Sequence, residues 1–488
     1  MSGHDNGQRQ NRSVATGTCE TADRCPGLDP WSGRGGIDGS AVALVDAGNP
    51  NGRPWTYGVL DDLVRRRAAE LAGQGLRPGQ LVAVPERSAT ELALMQHALA
   101  RASAALLPLR AQTDDPAVGA LIAQTGAEWI WTGDGVLQPA VAAAPAEATW
   151  DSPLSLVVET SGSSGRPRAA MLTARNLRTS AALSNRRLDF GPGDAWLCCL
   201  PLRHIGGLSI VYRCALAGAR LILRQGFAAG PVAEDLARHA VTHVSLVPPM
   251  LARLLELDRA PPPALRVALI GGQGLSEPLA RRAIERGWPI HVTYGMTETA
   301  SQVAVSERLA APAAGGRIGL PLPGMALDCP DCDAPPAPLR LRGPLTMAGY
   351  ANPARLPGQG LTDGWLVASD LACRDREGRL HILGRADEVL VTGGVNVHPA
   401  RVESVLAEAP GVDDLAVIGV ADPVWGQRLV AVYRGECAPD GLDAWCRARL
   451  AGPERPRSFV RVAEFPLLES GKRDRQRLRR LAESGGDA

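Results

Sequence analysis

Apolar positions along this 488-residue chain follow a helical period and a strand period by turns. Behind Trp55-Thr56-Tyr57, the run from Leu60 to Gln74 sets Leu60, Leu63, Ala68 and Leu71 near one helix face, and Gly75 and Pro78 end it. Leu81 to Val84 reads as a buried strand, Ser88 to Arg101 as a helix, and Leu106 to Leu109 as a strand. Residues 116–125 read as a helix and Glu128 to Trp131 as a strand. After an Ala/Pro-rich connector at Pro139 to Ala148, the strand Leu154 to Val158 leads into a Gly/Ser loop at 160–168 and a helix from about Thr173. Four more short apolar runs follow, at 197–200, 220–223, 244–247 and 267–270, with helical segments between them. Strands alternating with helices predict an α/β fold with parallel-rich sheets.

This texture runs to about Gly384 and then changes. Strands at 389–392, 415–420 and 429–433, with helices near 399–408 and 441–450, make a compact α+β segment. The expected organisation is a polar, Gly-rich, disordered tail over 1–40, a large α/β domain over 41–386, and a small α+β domain over 387–488. No internal repeat is evident.

Composition narrows the function. With 45% hydrophobic residues the chain can bury a sizeable core, and a net charge of +1 gives no reason to expect nucleic acid or an anionic membrane as partner. No apolar stretch approaches the roughly 20 residues of a membrane span, and the first forty residues lack the apolar core of a signal peptide. The ten cysteines show no disulfide-framework spacing; Cys329-Pro-Asp-Cys332 is a lone pair without a second at zinc-ribbon distance. A reduced, cytoplasmic protein is expected, with room for a homo-oligomer. Of 52 Lys and Arg residues, Lys472 is the only lysine. An ammonium is a compact, mobile point charge where guanidinium is a planar fork, so a lysine in such a background suggests a site that needs the difference. It also suits an exposed tail position kept by chance.

Three stretches could carry chemistry. Thr160-Ser161-Gly162-Ser163-Ser164-Gly165-Arg166-Pro167-Arg168 directly follows a buried strand, and its bare backbone N–H groups and short hydroxyls suit phosphate oxygens. It is neither a Walker A loop nor a nucleophile elbow, and such a loop is also a common flexible connection. Tyr294-Gly295-Met296-Thr297-Glu298-Thr299 sets a carboxylate beside a hydroxyl, able to hold Mg²⁺ near a phosphate or simply to cap a helix. Asp370, after Gly364-Trp365, could accept from both ribose hydroxyls or serve as an ordinary turn residue.

In this order the three stretches resemble the adenylate-forming superfamily of acyl-CoA synthetases, peptide-synthetase adenylation domains and luciferases. The likeness continues through Gly349-Tyr350-Ala351-Asn352-Pro353, Gly384-Arg385-Ala386-Asp387, Gly393-Gly394-Val395-Asn396-Val397-His398-Pro399 and Ser470-Gly471-Lys472. It implies an active site between the two domains, with ATP, Mg²⁺ and CoA taking part. A carboxylate attacks the α-phosphorus of ATP to give an acyl-adenylate, and a thiol then displaces AMP. By position, Thr160, Ser161, Gly162, Ser163, Ser164, Gly165 and Arg168 would grip the β- and γ-phosphates. Thr297 would meet the α-phosphate and Glu298 the Mg²⁺. Asp370 and Arg385 would bind ribose, and Tyr294 would lie along adenine. Asp387 would be the hinge, Gly393 and Gly394 would border the CoA tunnel, and Lys472 would bridge the acid and the α-phosphate. The superfamily's phosphate loop usually ends in Lys, whereas Arg168 stands here, which implies an altered grip on ATP.

Leu200-Pro201-Leu202-Arg203-His204-Ile205-Gly206-Gly207-Leu208-Ser209, followed by Arg213, is similar to the corresponding stretch of the o-succinylbenzoate–CoA ligases of menaquinone biosynthesis. That dianionic acid implies Arg213 as anchor for the spectator carboxylate, with His204 and Gly295 lining the acid pocket and His204 near the reacting carboxylate. Arg203 departs from the aromatic residue common there. Another acid, a carrier-protein thiol as acceptor, or a non-catalytic nucleotide sensor are the rival readings.

Overall fold

The computed structural model describes residues 37–49, 51–112, 115–140, 152–160, 168–468 and 471–485. Of the expected tail, residues 37–40 are therefore described: Ile37 packs beside Tyr57 and Leu60, and the Gly58 N–H donates to the Gly39 carbonyl at 2.9 Å.

Two sheets carry the large domain. In the first, the strands Val42–Asp46, Arg220–Leu223, Ala195–Cys198, His243–Leu246, Val267–Ile270 and Ile290–Tyr294 run parallel in that spatial order. The second runs Gly349–Tyr350, Arg168–Thr173, Leu154–Thr160, Ala105–Leu109, Leu81–Pro85, Trp129–Trp131 and Leu137–Pro139. Leu81–Pro85 and Ala105–Leu109 are buried at every position because both faces are covered, which is why they read as continuous apolar runs rather than alternating ones.

Between the sheets lie the helices Ala89–Arg101, Ala174–Arg187 and Ile205–Ala217, sharing one core with both. Helix Ala89–Arg101 is buried continuously from Leu92 to Ala100, as a helix with packing on all sides must be. Its start is set by Ser88, whose hydroxyl accepts from the Glu91 N–H; Thr173 and Asn176 cap Ala174–Arg187 reciprocally. The outer face of the first sheet is covered by Ala229–Arg238, Pro248–Glu256 and Glu277–Glu285.

From Ala304 to Arg385 the chain abandons the strand–helix alternation that the apolar pattern suggests. Antiparallel strands extend the first sheet in the order Ala304–Val305, Arg317–Pro321, Leu380–Arg385, Trp365–Arg374, Ala337–Arg342 and Ala326–Asp328. This extension carries Asp370 and Arg385. It also corrects the expectation of a wholly reduced chain: Cys332 is disulfide-bonded to Cys373, at a Cα–Cα distance of 4.9 Å. The Cys332 N–H donates to the Arg374 carbonyl at 3.1 Å, so strand packing across 41 residues of sequence brings the two sulfurs together. Cys329 remains a free thiol.

Beyond Asp387, which lies in a short turn at Ala386–Glu388, a third sheet orders Val395–Val397, Leu390–Thr392, Gly426–Gly435 and Val412–Asp422, with Ser458–Arg461 alongside Gly426–Gly435. Side chains alternate: Leu415 and Val417 pack under helices Pro399–Ala407 and Pro439–Arg449, and Ala416, Ile418 and Val420 under Arg475–Ser484. The described residues contain no helix long and apolar enough to cross a membrane.

Candidate active site

Parallel strands end at a common edge, and the loops leaving them supply the site. Strands Val267–Ile270 and Ile290–Tyr294 open into Gly271-Gly272 and Gly295. A Cβ on Gly295 would stand 1.5 Å from the Ser301 carbonyl oxygen, so no other residue lets the Thr297–Thr299 turn fold back so closely. That turn ends in two left-handed residues, Ala300 (φ 50°) and Ser301 (φ 99°), and sets Thr297 and Glu298 half-buried at the cleft.

Lys472 comes to this edge from the small domain. Its carbonyl accepts from the Leu468 N–H at 2.7 Å, the Gly471 N–H donates to Leu468 at 2.8 Å, and Gly471 takes a φ of 76° against Val247 and Met250. Gln273 Nε2 reaches the Gly471 carbonyl at 3.5 Å, and Lys472 Cε would lie 3.3 Å from a Cβ on Gly272. The lysine is exposed to the open cleft, yet protein surrounds it deeply enough to lower its pKa: burial comes first, then Arg385, while Asp370 and Glu298 pull the other way.

Tyr294 and Asp370 meet there as well. The phenol donates to Asp370 Oδ2 at 2.8 Å; burial raises both groups' pKa values above their ordinary range. Arg385 lies opposite Asp370 in strand register, with Nη1 3.7 Å from Asp370 Oδ1. Its Nε and Nη2 donate to Asp387 Oδ1 and Oδ2 at 2.9 and 2.7 Å, a bidentate pair. The arginine expected at ribose is thus also gripped by the residue expected to be the hinge.

On the other side, Glu298 Oε1 accepts from the Tyr350 phenol at 2.9 Å, and the exposed Arg168 guanidinium lies over the Tyr350 ring at 5.2 Å. Thr160 is buried at the end of its strand, paired in register with Arg168. Ser161, Gly162, Ser163, Ser164 and Gly165 lie outside the described residues. Among the described residues no three His, Cys, Asp or Glu side chains converge as a metal site. A single carboxylate, Glu298, on a turn packed against the strands Leu154–Thr160 and Arg168–Thr173 that flank the expected phosphate loop, fits Mg²⁺, which keeps most of its shell as water and phosphate oxygen.

Arg213 and His204, expected at the acid, are carried by helix Ile205–Ala217 and its N-cap. Arg213 is 1% exposed, stacks over Trp196 at 5.2 Å, and its Nη2 donates to Ser301 Oγ at 3.1 Å. No carboxylate among the described residues pairs with it, its Nε has no partner, and burial pushes its pKa down to about 10. His204 is half-buried at the N-cap of this helix. The loop before it hangs on Glu86, which accepts from the Leu202 and Arg203 N–H groups at 2.6 and 3.1 Å and pairs with the Arg203 guanidinium at 3.6 Å. Arg203, the departure from an aromatic, thus has a partner.

Tyr294, Glu298, Asp370, Arg385 and Lys472 therefore surround one cleft. Gly393 and Gly394, with φ of 57° and 80°, form the exposed turn of a hairpin in the small domain, where Gly393 packs on Trp425. Glu86, Ser301, Gln273 and Tyr350 carried no expected role. Of these only Tyr350 lies in a motif of the superfamily; the others are tied to the site by hydrogen bonds between residues far apart in sequence.

Comparison with known proteins agrees with this geometry. A family model described as AMP-binding enzyme matches residues 37–159 and 142–351, and one described as AMP-binding enzyme C-terminal domain matches 401–472. The chain is 31% identical to a 2-succinylbenzoate–CoA ligase of Bacillus mycoides over 88% of this chain and 94% of that one. It superposes with a TM-score of 0.77 on the o-succinylbenzoate CoA synthetase of Bacillus subtilis in complex with the acyl-adenylate intermediate OSB-AMP. Identity there is 27%, over 90% of this chain and 95% of that one. The same synthetase in complex with ATP and magnesium ion superposes at 0.76 with 27% identity, over 90% and 96% of the two chains.

Proposed function

The chain belongs to the AMP-binding enzyme family, and on that premise we propose that it is an ATP-dependent ligase that joins 2-succinylbenzoate to CoA, releasing AMP and pyrophosphate. The observation that carries the choice of acid is Arg213. A fully buried guanidinium without a carboxylate partner among the described residues is expensive, and the second carboxylate of a dianionic acid would supply the missing charge. A pocket for a monocarboxylic acid has no use for such a cation. His204, at the entrance to the same helix, lies on the side of the reacting carboxylate, with Gly295 as pocket floor.

In the first half-reaction one oxygen of the acid attacks the α-phosphorus of ATP and pyrophosphate leaves. Lys472 enters from the small domain as a mobile charge that follows negative charge building between the acid and the α-phosphate. Thr297 donates to the α-phosphate, Thr160 and the 161–168 loop hold the β- and γ-phosphates, Tyr294 flanks the adenine, and Asp370 with Arg385 takes the ribose. Glu298 would hold Mg²⁺, which neutralises phosphate charge when bound. In the second half-reaction the CoA thiol adds to the acyl carbonyl and AMP leaves. Asp387 is the hinge on which residues 387–488 turn, bringing Gly393 and Gly394 to the pantetheine path. We place the reaction in the cytoplasm, where ATP and CoA are at hand.

The test is acid-dependent exchange of labelled pyrophosphate into ATP. Exchange with 2-succinylbenzoate is expected. A wild-type protein that supports no exchange with any acid is a nucleotide-binding module instead.

A further inference from the structure

Tyr350 belongs to the two-residue strand Gly349–Tyr350, which pairs antiparallel with Ala170 and Met171, next to the end of the phosphate loop at Arg168. Its ring is held on three sides. The backbone is fixed by the Tyr350 N–H donating to Gln359 at 2.7 Å, and the ring lies so close to Gly360 that a Cβ there would stand 2.3 Å from Cδ2. Over the ring lies the Arg168 guanidinium at 5.2 Å, and the phenol donates to Glu298 Oε1 at 2.9 Å. The backbone of Glu298 is fixed too, its carbonyl accepting from the Met347 N–H at 2.7 Å.

We propose that Tyr350 is a positioning residue that aims the Glu298 carboxylate at the cation on the ATP phosphates and couples that aim to Arg168. The proposal rests on the ligase reading above. A carboxylate rotates freely unless one oxygen is occupied; with Oε1 accepting the phenol's hydrogen bond, Oε2 is the oxygen that would bind a cation. The stack also explains the arginine. A planar guanidinium packs face-on against an aromatic ring where a lysine ammonium offers only a point charge, so Arg168 can grip phosphate and brace Tyr350 together.

The test uses the full-length protein, Mn²⁺ as probe and the non-cleavable ATP analogue with an α,β-methylene bridge, reading free Mn²⁺ by electron paramagnetic resonance. Tyr350→Phe keeps the ring and removes only the O–H. It should weaken Mn²⁺ binding in the presence of the analogue by about tenfold or more, the usual cost of losing an outer-shell partner. Affinity for the analogue without cation should stay within about twofold of wild type. Arg168→Lys should weaken Mn²⁺ binding less, and adding it to Tyr350→Phe should cost less than the product of the two effects, because the residues act through one contact. Unchanged Mn²⁺ affinity in Tyr350→Phe, or equal loss of analogue with and without cation, overturns the positioning role; multiplicative losses overturn the coupling. A wild-type protein that binds neither analogue nor Mn²⁺ contradicts the ligase reading instead.

Discussion

Asp387 holds Arg385 by two parallel hydrogen bonds, Nε to Oδ1 at 2.9 Å and Nη2 to Oδ2 at 2.7 Å. Arg385 ends the last strand of the large sheet, facing Asp370, and Asp387 lies in the short turn that leads to the third sheet. The pair therefore clasps the junction in the arrangement that puts Lys472 in the cleft. Asp387→Pro should leave pyrophosphate exchange within a few-fold of wild type and slow CoA transfer from supplied acyl-adenylate at least about tenfold, because proline restricts both its own φ and the residue before it. Asp387→Asn, which weakens the clasp without stiffening the backbone, should not slow transfer. Equal rates of transfer in wild type and the proline variant would remove the hinge from this position.

Gly471 tests how finely Lys472 is placed. Its φ is 76°, and a Cβ would stand 2.7 Å from Val247 Cγ2 and 3.0 Å from the Met250 methyl. Gly471→Ala should cost adenylation about tenfold or more through displaced docking, since small misplacements at a reacting centre are amplified. Thiol transfer from supplied adenylate should persist. Single-turnover assays of each half-reaction separate the two, and a variant impaired equally in both has a folding defect.

The pH dependence follows from the same lysine. Burial and Arg385 lower its pKa below 10.5, outweighing Asp370 and Glu298. The ammonium exists below that lowered pKa and is lost as pH rises through it. Adenylation kcat/KM should therefore fall on the alkaline side earlier than an ordinary lysine would dictate. Lys472→Ala should abolish the limb with the activity, leaving adenylation about 10²-fold down or lower. Thiol transfer should show no lysine limb; the same limb in both half-reactions would argue against a role confined to one.

Arg213→Ala should raise KM for 2-succinylbenzoate by about 30-fold or more, the scale of breaking a buried charge pair. A monocarboxylic analogue should lose nothing comparable. Arg213→Lys should recover only part, because the guanidinium also donates to Ser301 and stacks on Trp196. Matching losses for dianion and monoanion would rule out the anchor.

Much of the scaffold was legible in the chain. Pro116–Thr125 and Val267–Ile270 begin and end where the apolar runs do, because buried strands and capped helices are written locally. The antiparallel stretch from Ala304 to Arg385 was not, since its strands lack continuous apolar runs, as the mixed burial of Trp365–Arg374 and Ala337–Arg342 shows, and are recognisable only once paired. Site chemistry divided the same way. Lys472 and Glu298 stand in contiguous motifs. The Glu86 anchor of the Leu202-Arg203 loop spans 116 residues, Tyr294 to Asp370 spans 76, and the Cys332–Cys373 bond spans 41, so no local spacing betrays them. Tyr350 stood in view, but its task depends on Glu298 and Arg168, which reach it only in the folded protein.

The most direct test of the whole account is a panel of acids, with 2-succinylbenzoate, benzoate and medium-chain fatty acids each incubated with ATP, Mg²⁺, CoA and the wild-type protein. Mass spectrometry then reads the CoA thioester formed. The buried Arg213, which no carboxylate among the described residues pairs with, predicts 2-succinylbenzoyl-CoA as the dominant product. Thioester from benzoate or a fatty acid at equal or greater yield, with none from 2-succinylbenzoate, would contradict it.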